Sequence, residues 1–299
     1  MKKFITAVIA MMMTFSVSAQ FYIYLSNGSV LTADSISLVA PSGDGVLAGA
    51  FSVSDTKKVH FSQGNLQYQA STATWRFAEH QWDMVGMGYG QTDADNYCTI
   101  GGTVENSDNR QISASYAGWI DLFGWGTGNN PTNTSTSYSD YSTFVDWGVN
   151  KITNGGNTAN QWRTLTYDEW DYLFNTRPNA NNLRGQATVN GITGYVFLAD
   201  NFTLPSGLSF TANPNNWNTN VYTSAQWSQM EAVGAVFLPA AGDRDGTGVS
   251  DVGNLGYYWS STPIDGYYAF NLYFDSGYAR PDYWSNRGYG LSVRLVQDF

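Results

Sequence analysis

One cysteine, Cys98, stands in a chain of 299 residues. A disulfide framework within the chain is thereby excluded, and the fold must be held by its core. Cys98 sits in DNYCTIGG with no candidate base beside it, so it reads as a buried or incidental thiol rather than a nucleophile. Histidine is nearly as scarce, with only His60 and His80, both in the N-terminal half. No G-x-S-x-G elbow, no H-E-x-x-H and no glycine-rich phosphate loop ending in Lys-Ser/Thr occurs. Hydrolase, metalloprotease and nucleotide-dependent chemistry therefore lack their sequence signs. Paired carboxylates for glycoside hydrolysis stay open, because such pairs meet in space rather than in sequence.

Charge is sparse too: charged residues make up 13% of the chain, 14 basic against 24 acidic. Two of the basic residues, Lys2 and Lys3, open MKKFITAVIAMMMTFSVSA, which has the form of a signal peptide over residues 1–19, with cleavage expected before Gln20. Without them the formal charge is −12, which makes nucleic acid and anionic lipid poor partners. The apolar run from Phe4 to Val17 is shorter than the roughly 20 residues a spanning helix needs, and no later run reaches that length. No membrane insertion is expected. No cysteine adjoins the cleavage site, which removes the usual lipoprotein attachment point. The expectation is an exported protein, extracellular, on the cell surface or periplasmic.

Aromatics, by contrast, reach 16% and glycines number 31, a loop-rich composition whose solubility must come from Asn, Ser, Thr, Gln and Tyr. Alternation around Asn27-Gly28 predicts a hairpin or extended leader from Phe21 to Val39, and PSGDGVLAGA (Pro41 to Ala50) reads as a linker. Residues 20–50 are thus set apart from a main domain, 51–299. Within it Thr74–Phe77, Gly194–Leu198 and Ala269–Phe274 are strand-like. Helices are expected over Tyr167–Asn175, capped by Thr166 with Glu169 and facing Trp170, Leu173 and Phe174 inward, and over Ser224–Val233, facing Trp227, Met230 and Val233 inward. No repeat of fixed period is visible. Short antiparallel strands, two main helices and long irregular loops make an α+β class.

The segment WRTLTYDEWDYLF (Trp162 to Phe174) resembles a helix of formylglycine-generating-enzyme-like domains, a branch of the C-type lectin-like fold. Phe237 to Thr262, AFNLYFDSG (Ala269 to Gly277) and RGYGLSVRLVQ (Arg287 to Gln297) resemble the C-terminal core of the same group. The oxidase chemistry does not carry over, because no cysteine follows Cys98. WSST, then A-x-x-L-x-F-x-S-G, then R-x-x-G-x-S-V-R resembles the variable region of bacterial and phage proteins diversified by retroelements. The resemblance implies a C-type lectin-like scaffold displaying hypervariable side chains for an extracellular protein or glycan ligand.

The candidate ligand-binding residues lie between the fixed elements: Tyr267, Tyr268, Tyr273, Asp275, Tyr278, Arg280, Asp282, Tyr283, Trp284, Ser285 and Tyr289. Tyrosine supplies rigid contact area with a hydroxyl, and serine, glycine and asparagine supply adaptable hydrogen bonds. Tyr278, Asp282, Tyr283 and Tyr289 stand among Gly, Pro and Asn, which reads as a loop; the alternative is that such tyrosines merely cover a sheet. Leu272, Phe274, Leu291, Val293 and Leu295 alternate as core, and Trp259 joins them. Arg294 is expected to make structural ion pairs or hydrogen bonds, and Glu169 and Trp170 to be scaffold. Asp243, Asp245 and Asp251 form a weak calcium candidate lacking an EF-hand's terminal glutamate, with a polar turn as the alternative. No other cofactor is implied. The competing readings are a structural surface or adhesin component and a glycan-active enzyme.

Overall fold

The computed structural model describes residues 21–24, 30–33, 43–88 and 107–299. Segment 1–19, the Asn27-Gly28 turn and Cys98 lie outside the described residues. Strands β1 (Phe21–Tyr24) and β2 (Val30–Ala33) pair antiparallel, with Tyr24 opposite Val30, as the alternation predicted. They belong to one compact unit, Met1–Ser42, and all else belongs to a second, Gly43–Phe299.

The second unit starts before the expected Phe51, because half of the supposed linker is packed. Leu47 is buried and its N–H donates to Phe61 O at 2.9 Å, beside a bridge from Val46 to Ser62. The glycines that suggest a linker serve close approach instead. A Cβ on Gly45, at φ +73°, would fall 2.4 Å from Asn154 O, and one on Gly49 2.8 Å from Gly234 O.

Strand β3 (Phe51–Ser52) pairs antiparallel with β4 (Lys58–Phe61), and β5 (Leu66–Gln69) lies between β6 (Thr74–Phe77) and β7 (Trp119–Ile120). Helix α1 (Tyr167–Asp171) begins at a complete capping box: Thr166 Oγ1 accepts from Glu169 N at 3.2 Å, and Glu169 Oε2 accepts from Thr166 N at 2.9 Å. Arg163 grips the same carboxylate with both terminal nitrogens, at 2.6 and 2.8 Å, which makes Glu169 the scaffold residue expected. The helix continues as a single π turn, Tyr172–Thr176, and buries Trp170, Leu173 and Phe174.

Next come β8 (Arg184–Val189), β9 (Ile192–Leu198), β10 (Val221–Tyr222), α2 (Ser224–Ala232) and β11 (Ala235–Pro239). Their sheet has the order β10-β8-β9-β11, with β10 parallel to β8 and the rest antiparallel. It is buried on both faces. Tyr195, Phe197, Val236 and Leu238 pack toward α1, while Val196, Leu198, Ala235 and Phe237 pack toward Trp227 and Met230 of α2. Continuous apolar runs rather than alternation follow from that two-sided burial. Val233 is the exception to the predicted α2 face: it sits just past the last helical residue and is 41% exposed.

The hairpin β12 (Ala241–Asp245) and β13 (Gly248–Val252) leads into a three-stranded antiparallel sheet, β14 (Gly256–Pro263), β15 (Tyr268–Phe274) and β16 (Ala279–Asn286). Last, β17 (Val296–Asp298) returns to pair with β4, setting Val296 opposite Phe61. The chain is thus mixed α+β, and among the described residues no helix is long and apolar enough to cross a membrane.

Candidate functional site

The stretch expected to be a loop is mostly strand. β16 runs from Ala279 through Asn286 on the edge of its sheet, which is where Pro281 is tolerated without disrupting a central strand. A β-bulge hides its period. Asn271 pairs with Tyr283 and Tyr273 with Arg280, so β16 takes three steps against two on β15.

This sheet separates framework from display. Trp259, Leu272, Phe274, Leu291, Val293 and Leu295 are all buried, as their alternation predicted. Trp259 donates through Nε1 to Phe123 O at 2.7 Å. Arg294, 2% exposed, donates to Asn65 Oδ1, Ser62 O and Phe237 O at 3.1, 3.1 and 2.7 Å, the structural role expected of it.

Above that framework the aromatic rings form an unbroken chain. Tyr257 lies 5.2 Å from Tyr273 between ring centroids, and Tyr273 lies 4.7 Å from Tyr283 and 6.3 Å from Tyr278. Tyr283 continues to Trp284 at 6.4 Å, Trp284 to Tyr268 at 4.7 Å, and Tyr268 to Tyr267 at 6.3 Å. Tyr267 then meets Tyr138 at 4.1 Å. Of these, Tyr267, Tyr278 and Trp284 are about half exposed, and Tyr289 nearby is 36% exposed.

Local hydrogen bonding aims these rings. The N–H groups of Tyr267 and Tyr268 donate to Asp265 Oδ1 at 2.7 and 2.9 Å, which fixes the turn entering β15. Buried Arg287 spans from the Asp265 carbonyl to Tyr268 O and lays its guanidinium 4.3 Å from the Trp125 ring centre. Tyr273 Oη donates to Asp275 Oδ2 at 2.8 Å, while Asp275 Oδ1 accepts from Gly277 N. Asp275 is therefore occupied in shaping the turn into β16.

A cavity of about 440 Å³ opens along this aromatic surface. Tyr257, Tyr268, Tyr283, Trp284 and Tyr289 give it rings, and the β12–β13 hairpin supplies Asp243, Ser250 and Asp251. Tyr267 and Tyr278 flank the lining rather than belong to it. Arg280 and Asp282 also stand outside it, closed on each other by two bonds of 2.6 and 2.7 Å, and the guanidinium holds the Asp282 carboxyl below its ordinary range. Ser285 reaches the cavity wall but is only 7% exposed, and its hydroxyl accepts from Asn271 Nδ2 at 3.0 Å. As a buried partner of Asn271 it has little to offer a ligand.

Two contributors escaped sequence reasoning. Tyr138 comes from a 3₁₀ turn, Tyr138–Tyr141, more than a hundred residues upstream, and nothing local ties it to Tyr267. Tyr257 precedes the WSST element and reads as framework, although it is only part-buried.

Asp243 is the electrostatic centre of the cavity. Among the described residues its one side-chain hydrogen bond is from Ser250 Oγ, at 3.2 Å. Burial, reinforced by Asp251 and Asp245 and opposed by Ser250, pushes its carboxyl from 3.8 up to about 6. Among the described residues no three acids, cysteines or histidines gather as a group able to hold a metal ion. With its carboxyl raised by burial, Asp243 binds its proton more tightly in the folded state than in the unfolded chain. The contribution of this group to stability falls as pH rises from 3.8 through 6, and its destabilisation is complete above that. Asp243→Asn is expected to raise the unfolding free energy at pH 7.5 by about 1–2 kcal/mol, and by nothing measurable below pH 3.8. Urea titrations at the two pH values measure this, and a loss of stability at pH 7.5 would contradict it.

In comparison with known proteins, residues 211–296 match a family described as a domain of unknown function, DUF8237. The match spans α2, strands β11 to β16 and the whole cavity lining. No curated protein and no solved structure matches the chain.

Proposed function

We propose that this is an exported binding protein that captures an extracellular protein or glycan in the aromatic cavity of the β14–β16 sheet, on a scaffold of the C-type lectin-like kind. The observation that carries the proposal is the continuous ring surface from Tyr257 to Tyr267 beside an open cavity of about 440 Å³. Large aromatic side chains left in water, clustered on rigid strands, have the chemistry of a recognition surface. The scaffold reading is supported by the short antiparallel strands, the two capped helices and the long irregular connections.

Diversification of the surface belongs to the same proposal. Of the eleven positions between the fixed elements all but Ser285 reach solvent, while Trp259, Ser260, Leu272, Phe274, Ser292, Val293 and Arg294 are buried. Changes at the former would spare the core. A neighbouring reverse-transcriptase gene, with a near-copy of the DNA for Gly256 to Phe299 differing at adenines, is the decisive observation.

The binding test uses glycan and displayed-peptide arrays. Alanine at Tyr278, Tyr283, Trp284 and Tyr289 together is expected to weaken capture by about 100-fold or more, because clustered aromatic anchors dominate such surfaces. Thermal stability should change little, since three of the four are at least a third exposed. Unaltered capture sinks the proposal. A glycan-active enzyme is the competing reading, favoured by one observation: two carboxylates, Asp243 and Asp251, share a cavity with stacking rings, and one has a raised pKa. Hydrolysis of any member of a broad polysaccharide panel, lost in Asp243→Asn, would establish it in place of simple binding.

A further inference from the structure

We infer that the cavity takes a cation, the guanidinium or ammonium group of a basic side chain on a protein partner, with its charge against Asp243 and Asp251 and its stem on Tyr257, Tyr283 and Trp284. The inference rests on the binding reading above and specifies the ligand's chemistry. Its basis is the combination of ring faces, unpaired carboxylates and missing positive charge in one concavity.

Among the described residues the lining holds five aromatic rings and two carboxylates, and no lysine or arginine. Ring faces carry the negative end of the aromatic quadrupole and attract cations, most strongly where water is excluded. Elsewhere among the described residues several shielded acids have met cationic partners. Asp108 pairs with Arg110, Glu169 with Arg163, and Asp200 with both Lys58 and Arg177. Asp121, fully buried, accepts from Val85 N at 2.8 Å and Asn109 Nδ2 at 2.9 Å. Among the described residues, Asp243 and Asp251 have no ion-pair partner, and Asp243 has one hydroxyl.

A neutral sugar could stack on the rings, yet it would leave that half-shielded charge as costly as before. A basic side chain satisfies both surfaces at once. A cavity of this volume lies at the lower end of the range for small-molecule sites, about 300–1,000 Å³, and has room for one long side chain with its flanking backbone. Net acidity assists encounter: the formal charge of −10 favours approach by a basic partner.

The raised pKa of Asp243 agrees with this geometry. Among the described residues the groups facing that carboxyl are Asp245 and Asp251 of its own hairpin, Tyr257 of β14 and Tyr289 beyond β16, and none of them is a cation.

The experiment pans a displayed random dodecapeptide library on the full chain at pH 7.5 and low salt. Enriched peptides are expected to share a lysine or arginine. Replacing that residue by norleucine or citrulline in synthetic peptides, and introducing Asp243→Asn or Asp251→Asn into the protein, should each weaken binding by about tenfold or more. Neither variant threatens the fold, since Asn is isosteric with Asp and Asp251 sits at φ +59°, where Asn is equally at home. Peptides lost on Tyr283→Ala and Trp284→Ala but indifferent to the charge changes would overturn the cation assignment and leave the aromatic site standing. Peptides indifferent to the aromatic substitutions would overturn both, and no enrichment at all would overturn the basic-side-chain assignment while leaving the glycan arrays to decide the aromatic site.

Discussion

Arg294→Met is expected to destabilise the protein by about 3–5 kcal/mol, enough to remove much of the folded population of a marginally stable domain. Arg294 is fully enclosed, and its fork joins three segments: Asn65 and Ser62 beside β5, Gln81 beyond β6, and Phe237 of β11. Methionine fills comparable space but donates nothing, so the carbonyls of Ser62 and Phe237 lose their arginine donor in a dry interior. Burial lowers the guanidinium to about 10, which leaves it charged at neutral pH, and Glu231 is near enough to sense that charge. Part of the loss is therefore offset by no longer burying a cation. Arg294→Lys separates the contributions, since it keeps the charge and loses the planar fork. Both variants should shift the urea midpoint downward at unchanged slope, and a wild-type midpoint for either would refute the pinning role.

The second large effect belongs to Trp259→Ala, also at about 3–5 kcal/mol. Trp259 is 1% exposed, packs in the cluster with Trp75, Trp125, Trp147 and Trp162, and closes its indole N–H on Phe123 O. Alanine leaves both a void and a carbonyl without its donor. Trp259→Phe restores most of the volume but not the donor, so it should recover roughly half of the loss. Because Trp259 sits in β14, which also carries Tyr257, ligand capture should fall in the alanine variant even below its melting temperature. Calorimetry gives the stability, and capture measured at 10 °C gives the second quantity.

The framework was legible in the sequence where local chemistry decides the outcome. The Thr166–Glu169 capping box, the alternation of Leu272 with Phe274 and the inward set Leu291, Val293 and Leu295 are all encoded within a few residues. Trp259 and Arg294 were placed correctly for the same reason. What failed involved partners distant along the chain. β16 reads as a loop because Pro281 and a bulge break its period, and only its position at a sheet edge makes that proline tolerable. The glycines of residues 41–50 mark close packing against Asn154 and Gly234, neither of which is local. Val233 keeps helical spacing but falls beyond the helix end.

The candidate site divides along the same line. The candidate tyrosines were picked out by the variable-region resemblance, and Tyr268, Tyr283, Trp284 and Tyr289 do come together, joined by Tyr257, with Asp243 and Asp251. Their neighbourhood with those aspartates could not be read from spacing that suggested only a metal loop. Conversely, the Arg280–Asp282 pair satisfies itself, and Ser285 turns inward. Residue type alone does not distinguish a side chain offered to a ligand from one already engaged.

The return of β17 to β4 bears on how the molecule assembles. The bonds of Arg294 to Asn65 and Ser62 join residues 229 and 232 apart, and Val296 enters the core opposite Phe61. Closing so long a loop costs entropy before the contacts it brings can compensate. The chain should accordingly fold slowly, with its first-made strands waiting for the last to be synthesised.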